Sequence, residues 1–279
     1  MTRALHLLYG NAAGPDGSGY RVIRRPESWA EAADQSAEAW LRQLQPAAGG
    51  EGPGLATAAF RVGEQLYACL ARVEADFGTD AYGRQGAQLH HLLALPVEEG
   101  RDVGLHAAAL VDLAQQLQRP PGEEPLAAYL EQLVWLPEVE VPPPHLAGLR
   151  GFVNSALPPF LRLAAAAASQ TSPAAPVPSL ALHPPPGRCL AEVLAMLSGA
   201  LPPRLRLALR WGAGVEGQGV HVLGTITQAT PAPAHPAADD YADWLRERLE
   251  ASRFAPVQAV LASWQLRSWN DLLDAIEER

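Results

Sequence analysis

Lysine is missing altogether from this chain: all 21 basic residues are arginine. With 26 prolines and a heavy use of alanine, that absence marks a biased codon usage, so an isolated arginine carries little functional weight. Positive charge is also in short supply. Thirty acidic residues against 21 basic leave a formal net charge of −9, which argues against nucleic acid as a partner, since phosphates need a basic stripe to neutralise them. Arg21, Arg24 and Arg25 make only a short local patch. Cysteine is limited to Cys69 and Cys189, far apart and each in an apolar run, which reads as two buried thiols rather than a disulfide. Long hydrophobic runs are absent too. The longest uninterrupted one, Leu163 to Ala168, is far too short to span a bilayer. The start, Met1-Thr2-Arg3-Ala4-Leu5, turns polar and glycine-rich before a signal-peptide core could form. A cytoplasmic protein with no membrane contact is the expectation.

What is present is enough apolar residue to fold. Hydrophobic residues make up 48% and charged ones 18% of 279 residues, a globular composition long enough for two domains. Arg3 to Tyr9 reads as a strand stopped by Gly10-Asn11, Gly14 to Gly19 as a long turn, and Tyr20 to Arg24 as the returning strand of a hairpin. Ser28 caps a helix from Trp29, whose face is Trp29, Ala33, Ser36, Ala37, Trp40, Leu41 and Leu44. Ala56–Val62 and Gln65–Glu74 read as strands joined across Gly63-Glu64, with Arg72, Glu74 and Asp76 alternating as an outer edge would.

Two helices are expected at Leu105–Leu117 and Pro125–Trp135, then a proline-rich linker at Pro137–Pro144. Beyond it, Leu146–Leu163 reads as a helix that Pro158-Pro159 should kink or restart, continued by Ala164–Ala168. Ser179–His183 is a short strand, Arg188–Leu201 a helix, and Leu205–Trp211 and Val220–Thr227 two strands. Asp239-Asp240 reads as an N-cap for the helix bearing Tyr241, Trp244, Leu245 and Leu249, and Val257–Ile276 as a helical tail. The fold class is α+β: two mixed sheet-and-helix domains, residues 1–140 and 141–279, joined by the proline-rich linker, with a helical C-terminal end.

Polar chemistry concentrates in Tyr82-Gly83-Arg84-Gln85-Gly86-Ala87-Gln88-Leu89-His90-His91-Leu92. His90 and His91 are the first candidates for metal or acid–base work, but neighbours on a strand face opposite ways, so one site cannot use both without a bulge. No His-x-x-x-His or Cys-x-x-Cys spacing accompanies them. Gly14 to Gly19 is not a P-loop, lacking Gly-Lys-Ser/Thr and a following helix, and Ser18 is not in a nucleophile elbow. Carboxylates at Asp76, Asp80, Glu98, Glu99 and Asp102 surround the stretch as a solvated loop would. No catalytic set, metal site or cofactor is expected from these residues. Most of the seven tryptophans read as core anchors, although Trp264 and Trp269 also suit an interface.

Three segments together resemble the bacterial GTPase-associated protein one family. Leu5-His6-Leu7-Leu8-Tyr9-Gly10 with Gly17-Ser18-Gly19-Tyr20-Arg21-Val22 is similar to the start of its N-terminal domain. Gly83 to Leu92 is similar to that domain's arginine-glycine-aromatic-histidine segment, with Ala87-Gln88 where the aromatic stands. Pro178 to Leu182, the next helix and Leu201-Pro202-Pro203-Arg204-Leu205-Arg206 resemble the middle domain, in which a leucine-proline-proline turn leads into a strand. The resemblance implies a non-enzymatic adaptor or regulator that binds a small GTPase, and an ATPase or effector protein, in a bacterial conflict, anti-phage or signalling system. It implies binding roles for Tyr9, Ser18, Tyr20, Arg84, His90 and His91. The alternatives are a hydrolase using His90 or His91 with a nearby carboxylate, and a self-assembling subunit.

Overall fold

Apolar residues recur at every second position along Leu5–Tyr9 and, His90 and His91 apart, fill Leu89–Leu95, and both stretches become strands buried on both faces. The computed structural model describes residues 2–3, 5–14, 17–25, 29, 37–46, 53–62, 64–74, 88–98, 135–136, 146–169, 180, 182, 190–216, 223–224 and 232–278. The chain is α+β. It forms two units: Met1–Val97 with Ala109–Val139 and Gly214–Gln218, and Glu98–Ala108 with Glu140–Ala213 and Gly219–Arg279.

The first unit holds β1 (Thr2–Arg3), β2 (Leu5–Gly14), β3 (Gly17–Arg24), β4 (Gln45–Pro46), β5 (Gly54–Val62), β6 (Gln65–Glu74), β7 (Leu89–Pro96), β8 (Trp135–Leu136) and β10 (Val215–Glu216). Five of these make an antiparallel sheet in the order β5-β6-β7-β2-β3. Two short antiparallel pairs, β1 with β8 and β4 with β10, complete the unit. The β5–β6 hairpin closes at Val62↔Gln65, across Gly63-Glu64 as expected. Helical residues 37–41 bring Ala37, Trp40 and Leu41 into the core, where Trp40 meets Phe60 edge-on at 5.3 Å and Trp29 meets Tyr67 at 5.2 Å.

Two expectations for this unit are corrected. Gly10-Asn11 does not end the first strand and Gly14–Gly19 is not a long turn: β2 pairs with β3 out to Gly14↔Gly17, so the ladder's own hydrogen bonds override the glycines' turn tendency. Gly10 sits inside β2 because of a close approach, since a Cβ there would lie 3.1 Å from Leu89 Cδ1 and 3.3 Å from the Gln88 carbonyl. Arg72 and Glu74 are not an outer edge either. β6 lies between β5 and β7, and both side chains are buried and ion-paired at 2.9 Å.

The second unit holds helices α1 (Leu146–Leu149), α2 (Leu157–Ser169), α3 (Leu190–Ser198), α4 (Pro203–Ala208), α5 (Pro236–Glu250), α6 (Phe254–Leu261) and α7 (Trp269–Glu277). A two-residue parallel pair joins β9 (Gly212–Ala213) to β11 (Leu223–Gly224). Pro158 and Pro159 stand in the first turn of α2, where a proline's missing N–H is no loss, so the helix restarts there as expected. α5 buries Ala238, Tyr241, Ala242, Leu245 and Leu249 on the stripe that packs against α2 and α7.

Three further expectations fail. Leu205–Trp211 is not a strand: Pro202 and Pro203 start helix α4, which ends at Leu209. The reason lies in Arg206, buried at 6% exposure, whose Nε donates to the carbonyls of Ser198 and Leu201 at 2.9 and 3.1 Å. Its Nη2 donates to those of Gly199 and Leu201 at 3.3 and 2.6 Å, while the Tyr241 hydroxyl donates to the Ala200 carbonyl at 2.8 Å. The carbonyls that trail the end of α3 lie where the helical ladder runs out, although that of Ser198 also accepts from the Leu201 N–H, and these two side chains reach four in a row. Asp239-Asp240 is not the N-cap of α5; His235 is, accepting from the Ala238 N–H, and Asp239 instead bonds Arg162. Nor is the tail continuous: it breaks between α6 and α7, where Ser268 and Asp271 form a reciprocal cap.

Trp135 lies in β8 rather than a helix. The helix at Leu105–Leu117, the rest of Pro125–Trp135, the linker Pro137–Pro144 and Cys189 lie outside the described residues, as do most of Ser179–His183 and of Val220–Thr227. Cys69 is a buried free thiol, and burial pushes its ionisation well above the ordinary range. Among the described residues no helix is long and apolar enough to cross a membrane.

Arg206→Met keeps the bulk of the side chain but removes the side-chain donors to the buried carbonyls of Ser198, Gly199 and Leu201. We expect a loss of about 3 kcal/mol in urea unfolding, and Tyr241→Phe, removing a single donor, about 1 kcal/mol.

Candidate functional site

Strand register decides where the predicted polar residues go. β7 pairs with β2 so that Tyr9 stands opposite His90 and Leu8 opposite His91; β7 pairs with β6 so that His90 meets Val73 and His91 meets Arg72. Directly paired residues share a face and adjacent ones do not. His90 therefore joins Tyr9 on one face, and His91 joins His6, Arg72 and Glu74 on the other. β7 pairs regularly through both histidines, without a bulge, so they face opposite ways as strand alternation predicts.

On the first face, the β2–β3 ladder shifts register between Leu8 and Tyr9, leaving Ile23 without an opposite partner. Such a bulge re-aims side chains. Beyond it Tyr9 and Tyr20 come together with ring centroids 5.9 Å apart, and the His90 ring stands edge-on to Tyr9 at 5.5 Å. The turn after helical residues 37–41 supplies Arg42, whose Nε donates to the Tyr9 hydroxyl at 3.3 Å while its Nη2 ion-pairs with Glu38 one turn back. The Gln88 backbone N–H donates to the Tyr20 hydroxyl at 3.0 Å. Its side-chain Nε2 donates to Gln45 Oε1 at 2.8 Å, and its Oε1 lies 3.3 Å from His90 Nε2. Tyr9, Tyr20, Arg42, Gln45, Gln88 and His90 line an open cavity of about 310 Å³.

Burial sets the electrostatics here. It raises the Tyr9 hydroxyl above its ordinary value, against the opposing pull of Arg42, so Tyr9 stays protonated. It lowers His90 to about 4, against the opposing pull of a backbone hydrogen bond to Leu41, so the ring is neutral at neutral pH; the Nε2–H tautomer is the one that suits Gln88 Oε1 as acceptor. An imidazole held that low is a weak base, and among the described residues no carboxylate is shown hydrogen-bonded to it.

On the opposite face His6 Nε2 and His91 Nδ1 are 3.1 Å apart with rings stacked at 5.3 Å, so one nitrogen carries the shared proton and the other accepts it. Glu74 ion-pairs with Arg72 and lies 3.9 Å from His91 Nε2. Burial first, then His6 and Arg72, holds His91 well below the ordinary histidine range. All four residues are 9% exposed or less, so the cluster is a buried polar grouping rather than an open site. Among the described residues no group of three or more His, Cys, Asp or Glu is placed to hold a metal ion.

Of the predicted binding residues, Tyr9, Tyr20 and His90 converge. His91 is turned away, and Ser18 is a β3 residue paired with Ala13 rather than part of a turn. Arg84 lies outside the described residues. Sequence reasoning missed Arg42, Gln45 and Gln88. Gln88 had a signal, since it stands two residues before His90 and so on the same strand face; Arg42 and Gln45 had none, because they reach their partners from 33 and 43 residues away. No protein-family model, curated protein or solved structure matches the chain.

The buried histidines make stability depend on pH. An unfolded histidine titrates near 6.5, whereas His90 does so at about 4, so between these values the unfolded chain binds more protons and stability falls as pH falls. His90 alone should remove about 2 kcal/mol between about pH 7 and about pH 5, with His91 adding in the same direction. Thermal melts of the wild type should drop more steeply with acid than those of His90→Gln, which cannot titrate; equal slopes would contradict the assignment.

Proposed function

We propose that this chain is a non-enzymatic adaptor or regulatory subunit that binds a small GTPase, with an ATPase or effector as a further partner. The observation that carries the binding part is the open cavity on the Tyr9 face. Its polar groups are tied to one another and not to a nucleophile, and Tyr20, 42% exposed, is the one large hydrophobic side chain standing out among the described residues. An exposed aromatic with an arginine beside it is the composition of a binding hot spot. The GTPase as partner is supported by the resemblance of the Leu5–Val22, Gly83–Leu92 and Pro178–Arg206 segments alone.

The alternative, a hydrolase, would rest on His91 with Glu74 at 3.9 Å. Their burial weighs against it, since a substrate has to reach the general base. A cytoplasmic setting fits the adaptor reading and is proposed with it.

The purified chain, mixed with a small GTPase of the kind the resemblance implies as its partner, should co-elute in size-exclusion chromatography in the GDP or the GTP-analogue state. Tyr20→Ala should weaken the complex about tenfold or more. Failure to co-elute in both nucleotide states would sink the proposal. Hydrolase activity lost on His91→Ala would favour the alternative.

A further inference from the structure

Hydrogen-bond direction around the 310 Å³ cavity is one-sided. Both tyrosine hydroxyl oxygens act as acceptors, Tyr9 from the Arg42 Nε–H and Tyr20 from the Gln88 backbone N–H. A phenol that accepts keeps its own O–H proton to donate, and burial keeps the Tyr9 proton in place through the neutral range. The wall's amide oxygens are already engaged: Gln45 Oε1 takes the Gln88 amide, and Gln88 Oε1 faces His90 Nε2. Arg42 uses its Nε on Tyr9 and Nη2 on Glu38, and its guanidinium has five N–H groups. Among the described residues two phenol protons and part of a guanidinium fork are thus uncommitted, and few acceptors are left in the wall.

These directions suit a group that only accepts. An ionised carboxylate is such a group, with two oxygens and about four lone-pair sites, enough for two phenols and a guanidinium. Charge narrows the choice further. Glu38 sits against Arg42 and His90 is neutral, so the described residues that line the cavity, with Glu38, carry nearly no net charge. A single negative charge is tolerated there more readily than the two of a phosphate monoester, which Glu38 would repel. The volume is at the small end for ligand pockets, which suits a short acid or one acidic side chain.

We propose that the cavity bounded by Tyr9, Tyr20 and Arg42 is a carboxylate-binding site, filled by a small free carboxylic acid or by an acidic side chain of a partner. The second source rests on the adaptor reading above; the first does not.

The test uses the full chain with ¹³C-labelled tyrosine, followed by NMR while glutarate, N-acetylglutamate amide or inorganic phosphate is added. The Tyr9 and Tyr20 ring signals should move saturably with both carboxylates, with dissociation constants on the order of 1 mM, and phosphate should bind more weakly. Tyr20→Phe keeps the ring at an exposed position, so it should fold, and lacks the donor; the movement of Tyr9 should then need about tenfold more carboxylate. Arg42→Gln should weaken binding at least as much. Tighter binding of N-acetylglutamate amide than glutarate assigns the site to a side chain, and the reverse to a free acid. No saturable movement with either carboxylate, phosphate binding as tightly, or a Tyr20→Phe protein that binds like the wild type would each overturn the proposal. Co-elution with the GTPase that persists without carboxylate binding removes this site but not the adaptor; carboxylate binding without co-elution does the opposite.

Discussion

The antiparallel pairing of β2 with β7 is the constraint on which the first unit's chemistry depends. It sets Tyr9 against His90 and Leu8 against His91, and a shift of one residue would move every side chain to the other face. Apolar burial holds that register: Leu7, Leu8, Leu92, Leu93 and Leu95 are all at 1% exposure or less, and a slip would leave polar groups facing a core without partners. The two polar groupings, one open and one closed, are consequences of one ladder.

Those groupings differ in what surrounds them. His6 and His91 share a proton and Arg72 and Glu74 pair their charges inside a closed setting, where removing one partner of either pair would be costly. Tyr9 and His90 lie under Arg42 and Gln45, and there the packing stops short of closing. The second unit solves a similar problem differently. Its first helices are apolar and proline-punctuated, and the carbonyls left at the end of α3 are met by Arg206 and Tyr241 from α4 and α5.

Several segments were legible from residue pattern. The β5–β6 hairpin, the restart of α2 at Pro158-Pro159, the apolar face of Trp40, Leu41 and Leu44, and the opposition of His90 and His91 all follow from local periodicity or from proline and strand geometry. Where that reading failed, a long-range partner overruled a local tendency. Gly10 and Gly14 look like strand breakers but are held by a neighbouring strand. Leu205 to Leu209 alternates like a strand but coils because Arg206 is drawn to the carbonyls after α3. Arg72 and Glu74 look solvent-facing but ion-pair within a central strand.

By itself, then, the sequence determined the class of fold, the periodic elements and the separation of the two histidines, because those depend on neighbours a few residues apart. Only the tertiary structure decided which of the singled-out residues meet. Arg42 reaches Tyr9 and Gln45 reaches Gln88 across spans that no local pattern encodes, and the β2–β3 bulge brings Tyr20 beside them. A cavity's donor balance is a property of groups distant in sequence. It exists only once the chain has closed around it.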